Sequence, residues 1–210
     1  MSTSGHTETA AGPAGFLVLM TTYNGEDHLA EQLDTLAAQT VERIDILVSD
    51  DGSSDRTLAM LSDAAADWQR GRFEIVSGPR AGFSENFRSL ILRAGTTADY
   101  YAFCDQDDIW QPEKLAIARL EAVDANMPAL YCGATRTISE DARPIGVSPI
   151  MKRPPSFRNA LLQSIAGGNT MVMNRAAFEL LRTASDGVSF VSHDWWSYMV
   201  VSGAGGIVIY

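Results

Sequence analysis

Three acidic side chains stand within four residues at Asp105-Gln106-Asp107-Asp108, directly after the apolar run Tyr100-Tyr101-Ala102-Phe103. Carboxylates this close repel one another unless something positive holds them, and an oxygen-rich donor set suits Mg2+ or Mn2+. Taken alone, such a triplet is more often a solvated loop than a site. Two further acidic positions join it. Asp50 and Asp51 lie in Ser49-Asp50-Asp51-Gly52-Ser53-Ser54-Asp55, just after the apolar run Ile44 to Val48, and Asp194 lies in His193-Asp194-Trp195-Trp196. An acid pair among turn residues either accepts hydrogen bonds from a ligand or shapes a turn and caps a helix. A late acid ahead of a helical run is either a general base or an N-cap.

The chain that must position these groups has 210 residues, which suits one large domain or a domain with a small appendage. It is 46% hydrophobic and 20% charged, ordinary values for a globular protein with a self-sufficient core. The net charge of -10 argues against nucleic-acid binding, which would require a basic face. A phosphorylated small molecule remains compatible with an acidic protein when a metal ion supplies the positive charge. Cys104 and Cys132 have neither CxxC nor zinc-ligand spacing and read as buried free thiols, which fits a reducing cytoplasm. Residues 1–15 read as a disordered tail. They lack a basic n-region, and the run Phe16 to Met20 is too short for a signal-peptide core or a membrane span. No later segment is long enough to span a bilayer, so the expected location is the cytoplasm, with any contact at the inner membrane face peripheral.

Apolar runs at Phe16–Met20, Ile44–Val48, Phe73–Val76 and Tyr100–Phe103 read as strands buried on both faces. Helices are expected at about Asp27–Gln39, after Ser53-Ser54 with those serines as caps, from Ser84 to a stop at Gly95, and from Pro112 to about Asn126. Strand and helix alternate, with polar or acidic residues just after each strand. That is the pattern of an open α/β sheet with ligands at its carboxyl edge. The second half reads as a strand over Leu130–Ile138, a turn at Glu140-Asp141-Ala142-Arg143-Pro144, and Ile145–Val147 pairing back. The basic, proline-rich loop Lys152-Arg153-Pro154-Pro155 and a short helix at Phe157–Ser164 come next. Gly167-Gly168-Asn169 precedes a strand over Thr170–Met173, followed by helices from Ala176 to about Thr183 and on to Val201. Ending on the apolar strand Gly206–Tyr210 suggests a chain cut short.

In combination these pieces resemble glycosyltransferase family 2, and within it the rhamnosyltransferase-like enzymes of bacterial surface-polysaccharide synthesis. The resemblance rests on Leu17-Val18-Leu19-Met20-Thr21-Thr22-Tyr23-Asn24-Gly25, on Asp50-Asp51-Gly52-Ser53-Ser54-Asp55, on Asp105-Gln106-Asp107-Asp108 with Trp110-Gln111-Pro112-Glu113-Lys114-Leu115, and on His193-Asp194-Trp195-Trp196. It covers Phe16 to Tyr210. It implies a GT-A fold: α/β, Rossmann-like, a mostly parallel sheet with helices on both faces. A nucleotide-sugar-binding half, 16–126, would precede an acceptor and catalytic-base half, 127–210.

The resemblance also implies roles. Thr21, Tyr23, Asp50 and Asp51 would hold the nucleoside, Asp105 the ribose and Asp107 the metal, Mn2+ or Mg2+, with Asp108 structural. Gly82 and Asn86 would border the nucleotide, or else serve as a loop and cap. Asp194 would be the general base of an inverting displacement, moving sugar from a donor of dTDP-rhamnose or UDP-hexose type to a glycan or lipid-linked acceptor. His193, Trp195 and Trp196 would lie on the acceptor side, a packed histidine and a core tryptophan being the competing assignments. Two alternatives stand beside this: a GT-A-like nucleotide-binding module inactive through truncation, and a sugar nucleotidyltransferase. The second is disfavoured because Thr21–Gly25 has no Lys or Arg, and none follows until Arg43.

Overall fold

The computed structural model describes residues 15–139, 143–149 and 151–210. The expected tail therefore falls, up to residue 14, outside the described residues, as do residues 140–142 of the expected turn. The first half alternates as the apolar runs suggest: β1 (Gly15–Thr22), α1 (Leu29–Ala37), β2 (Arg43–Asp50), α2 (Thr57–Asp67), β3 (Phe73–Ser77), α3 (Phe83–Arg93) and β4 (Tyr100–Cys104). Next come α4 (Lys114–Ile117), β5 (Ala129–Tyr131), β6 (Arg136–Ile138), β7 (Pro144–Val147), α5 (Phe157–Ala160), β8 (Val172–Asn174), α6 (Arg175–Ala184), α7 (His193–Gly203) and β9 (Ile207–Ile209). Among the described residues no helix is long and apolar enough to cross a membrane.

A seven-stranded sheet runs in the order β3-β2-β1-β4-β8-β5-β9. β1 is parallel to both β2 and β4, while β8 is antiparallel to β4 and β5. Both expected halves thus contribute to one continuous sheet. The first strands are apolar without interruption because both of their faces are covered. Phe16, Val18 and Met20 point into one layer with Leu36 of α1 and Leu61 of α2. Leu19 and Leu47 point into the other, with Phe87 of α3, Phe178 of α6 and Tyr198 of α7. Cys104 and Cys132 are free and buried in these layers.

Register decides where the chemistry can sit. Thr22 pairs with Asp50, Met20 with Cys104, and Asp50 with Ser77. The carboxyl ends of β1, β2, β3 and β4 therefore share one edge. The connection after β1 leads to β2 on one side, and α3 carries the chain to β4 on the other. A crevice opens at such a switch point, above β1 and β4.

Several expected elements differ. The helix from Pro112 shrinks to Lys114–Ile117, because its backbone groups are drawn outward: Thr40 N–H donates to Pro112 O (2.9 Å) and Leu115 N–H to Gln39 Oε1 (3.1 Å). The expected strand over Leu130–Ile138 is two strands. β5 stays in the main sheet, while β6 leaves after Gly133 to pair antiparallel with β7. Ser53 and Ser54 do not cap α2. Asp55 Oδ1 instead accepts from Thr57 N–H (3.0 Å), and the serines bond Asp50 and Asn24. α3 stops before Gly95, since Ala94 is already extended.

Leu19 is fully buried and paired to Leu47 and Phe103. Leu19→Ala should cost about 2–5 kcal/mol, read as a lower urea midpoint at unchanged m-value.

Candidate active site

Beyond the sheet edge, side chains consume the backbone donors that the ladder leaves over. Asp50 is buried, and its carboxylate is fully engaged. Oδ1 accepts from Gly52 N–H (3.1 Å) and Ser53 N–H (2.9 Å), and Oδ2 from Thr22 Oγ1 (3.0 Å) and Ser53 Oγ (2.5 Å). Asp50 therefore shapes the turn and does not line the crevice. Asp51 does line it. Its two oxygens accept from Arg80 N–H (2.6 Å) and Gly82 N–H (2.9 Å), which ties the β3–α3 loop to the end of β2. That loop needs Arg80 at φ 58° and Gly82 at φ 90°, conformations that glycine tolerates best.

Tyr23 follows β1 and is 58% exposed. Gln106 clamps its backbone: Tyr23 N–H donates to Gln106 Oε1 (2.8 Å), and Gln106 Nε2 donates to Tyr23 O (3.1 Å). Asn86 is buried and spends its amide on Ser49, accepting from Ser49 Oγ (2.6 Å) and donating to Ser49 O (2.9 Å). A crevice of about 630 Å³ results, walled by Thr21, Tyr23, Asp51, Arg80, Gly82, Asn86, Asp105 and Asp107.

A second cleft, of about 930 Å³, lies on the far side of the acidic loop, between Trp110, Tyr131, the β6–β7 hairpin and Asn169. Asp107 borders both spaces.

The acids are not equivalent. Burial pushes the Asp105 carboxyl up to about 7, with the Asp108, Asp107 and Asp194 carboxylates adding to the rise. Burial raises Asp108 as well, opposed by the hydrogen bond from Asn169 Nδ2 to its Oδ1 (2.7 Å) and by Lys114. Its Oδ2 has no partner among the described residues. Lys114 lies 3.0 Å from the Trp110 ring centroid and donates to Asn169 O. Burial lowers its ammonium to about 7, with Cys104, Asp108 and Asp105 opposing.

Among the described residues no three His, Cys, Asp or Glu side chains converge as a metal cage. Asp107 with Asp105 fits a different arrangement, in which one or two carboxylates hold a hard cation whose other ligands are substrate phosphates and water. The raised Asp105 and the unpartnered Asp108 oxygen mark a local excess of negative charge that a cation would relieve.

Asp194 sits in the first turn of α7, half-buried, and lines neither cleft. Its Oδ1 accepts from Trp195 N–H (2.7 Å), and the cap position belongs to Ser192. Its charge nonetheless acts on Asp105. Trp195 and Trp196 do not face either cleft. α7 turns them into the fold, where Trp195 Nε1 donates to Ala160 O (2.6 Å) and Trp196 Nε1 to Ser185 Oγ (3.0 Å). His193 is buried, stacked on Phe87 at 3.6 Å with its edge to Phe103. Burial lowers its imidazole to about 4, opposed by Asp194, so the ring is neutral at pH 7.

The Gly167–Thr170 turn joins the acidic loop to α7. On one side Asn169 holds Asp108 and receives Lys114. On the other, His193 Nε2 lies so close to Gly168 that a Cβ there would sit 1.9 Å away. Gln106, Lys114, Asn169 and Arg80 are functional candidates that sequence reasoning missed or left unassigned. Gln106 and Lys114 lie inside the acidic-loop motif, and only their neighbours across the fold, Tyr23 and Asn169, mark their roles.

Comparison with known proteins places this geometry. The family model described as glycosyl transferase family 2 matches residues 17–186. The dTDP-rhamnosyl transferase RfbG of Shigella flexneri is 36% identical over 98 residues, 46% of this chain and 34% of RfbG. S. aureus TarS, solved with UDP-GlcNAc, superposes with a TM-score of 0.66 at 20% identity, covering 93% of this chain and 56% of that one. The mannosyltransferase PcManGT from Pyrobaculum calidifontis, solved with GDP-Man and Mn2+, gives 0.64 at 19% identity, covering 95% and 56%. The fold is GT-A. The chain spans about a third to just over half of the length of the curated relatives it matches.

Gly168→Ala should destabilise by about 1–3 kcal/mol through overpacking against His193, seen as a lower melting temperature. The His193 shift has a defined sign. Its folded value, about 4, lies below the ordinary 6.5, so its contribution is complete above pH 6.5 and is lost as pH falls toward 4. His193→Gln should flatten the melting-temperature profile in that window.

Proposed function

Because this chain belongs to glycosyl transferase family 2, we propose that it transfers a sugar from a nucleoside-diphosphate donor to a hydroxyl of a glycan or lipid-linked acceptor, with inversion and with a divalent metal. The observation that carries the reading is the meeting of two clefts at Asp107, one of about 630 Å³ and one of about 930 Å³. A transferase needs a donor space and an acceptor space that share the reacting centre.

In this reading the smaller crevice takes the nucleotide. The exposed Tyr23 ring stacks on the base, Asp51 accepts a base N–H, and Asp105 accepts from the ribose. Arg80 is the cation of this crevice and faces the anionic side of the donor. Asp107 holds the metal, Mn2+ or Mg2+, and the bound ion would neutralise the departing diphosphate as a Lewis acid. The larger cleft, with Tyr131, Thr135, Thr137 and Trp110 on its walls, offers the hydroxyls and aromatic faces that suit an acceptor sugar.

Asp194 lines neither cleft, but its charge reaches Asp105; in this reading the acceptor hydroxyl extends to the first turn of α7, and Asp194 takes its proton as that oxygen bonds to the anomeric carbon. The bond from that carbon to the donor phosphate breaks on the opposite face, so a single displacement inverts the centre. RfbG is named a dTDP-rhamnosyl transferase, and TarS and PcManGT were solved with UDP-GlcNAc and with GDP-Man and Mn2+. These names support a nucleotide-sugar donor and a metal, and that of RfbG favours a dTDP-rhamnose donor.

Asp194→Asn is expected to reduce transfer by about 10²–10⁴-fold with donor affinity unchanged by calorimetry. Retained turnover would remove Asp194 from the base role. Asp107→Ala should abolish the extra thermal stabilisation that Mn2+ gives in the presence of nucleotide sugar. Metal-independent nucleotide binding without transfer to any acceptor would favour the inactive-module alternative.

A further inference from the structure

The acidity of this chain is unevenly distributed. Its net charge is -10, yet the stretch from Arg143 to Phe178 contains Arg143, Lys152, Arg153, Arg158 and Arg175 and no Asp or Glu. Arg175 is committed to Asp99 (2.9 Å). Lys152, Arg153 and Arg158 are exposed and form no ion pair among the described residues.

Exposed apolar side chains accompany these three cations. Phe157 is 44% exposed, Leu161 57% and Leu162 79%. They are mounted rigidly. Ala160 is fully buried, and its carbonyl accepts from Trp195 Nε1. Ser156 N–H donates to Tyr198 Oη (2.8 Å), whose hydroxyl donates to Ser156 O (3.0 Å). The Phe157 ring lies on Gly203, where a Cβ would meet it at 3.0 Å. The segment is thus fastened to α7 near Asp194 while its leucines and cations point away from the protein.

We propose that the surface formed by Lys152, Arg153, Phe157, Arg158, Leu161 and Leu162 docks on an anionic phospholipid bilayer. Charge complementarity selects the occupant. Cations beside an exposed leucine pair match a negatively charged headgroup layer over an apolar interior. The rest of the chain, more acidic than the whole, is repelled by the same layer, so the field leaves this face as the one that can approach. α7 links the face to Asp194, which orients the site toward molecules held at the membrane surface.

The test is vesicle co-sedimentation of the full chain. Binding to phosphatidylglycerol-containing vesicles should weaken as salt rises and be lost on pure phosphatidylcholine. Each cation near the surface is worth about fivefold in partition, so K152E/R153E/R158E should lower binding by a hundredfold or more. Leu161→Ser with Leu162→Ser should lower it by at least about tenfold while keeping the salt dependence. Leu162→Ser alone, at the most exposed of these positions, is the fallback should the multiple variants misfold. Thermal shift with nucleotide sugar should be unchanged in every variant, because none touches the donor crevice, so a failure here is separable from a failure of the proposed transfer reaction. Equal binding to neutral vesicles, or partition unaffected by the substitutions, would overturn the proposal. So would leucine variants that change only the sedimenting mass of the protein, or a surface that binds an acidic protein and not vesicles.

Discussion

Asp50, Asp51, Asp105, Asp107 and Asp108 crowd the carboxyl edge of the parallel strands β2 and β4, and the surrounding structure is arranged to hold that charge in place. Asp50 is neutralised by donors from its own turn and from Thr22. Asp51 takes the backbone N–H groups of the loop that walls the crevice. Asp108 is held by Asn169, and Lys114 lies half-buried beside the loop, donating to Asn169 O. Asp105 has no such partner, and burial, with the neighbouring carboxylates adding to it, raises its proton affinity. Asp50, with all its bonds made within the turn, faces away from the crevice, whereas Asp51, Asp105 and Asp107 line it.

The strands of the first half were legible because an apolar run of five residues bounded by turn chemistry has few other readings once both of its faces are covered. The acidic loop was legible only through its place in the series, since the same residues on an exposed loop would look alike. The segment after Pro112 was not. Leu115, Ala118 and Leu120 keep apolar spacing, but Gln39 and Thr40 lie more than seventy positions away and take the backbone groups that a longer helix would use. Asp50 shows the limit at a site. It is adjacent to Asp51 and identical in type, yet the pleat turns one side chain into the turn and the other toward the crevice. His193 could be read as a packed histidine, but that it packs against Gly168 is a tertiary fact.

The Gly167–Thr170 turn explains why α7 and the acidic loop stay in register. Gly168 lets the imidazole lie against the backbone, and Asn169 reaches the acid loop from the next residue. Two short contacts from adjacent residues thus define the spacing between groups that lie far apart in the chain. A larger residue at 168 would shift one of them relative to the other.

β8 lies near the centre of the sheet but comes late in the sequence, after the acidic loop and the β6–β7 hairpin. Until Val172–Asn174 are synthesised, β4 remains an open edge with a full row of unpaired backbone groups. The nascent chain must keep that edge from other strands for some seventy residues, and its closure is a non-local event of the kind that slows folding. The strand that carries the acidic loop therefore stays open to mispairing during synthesis until a segment of the second half closes it.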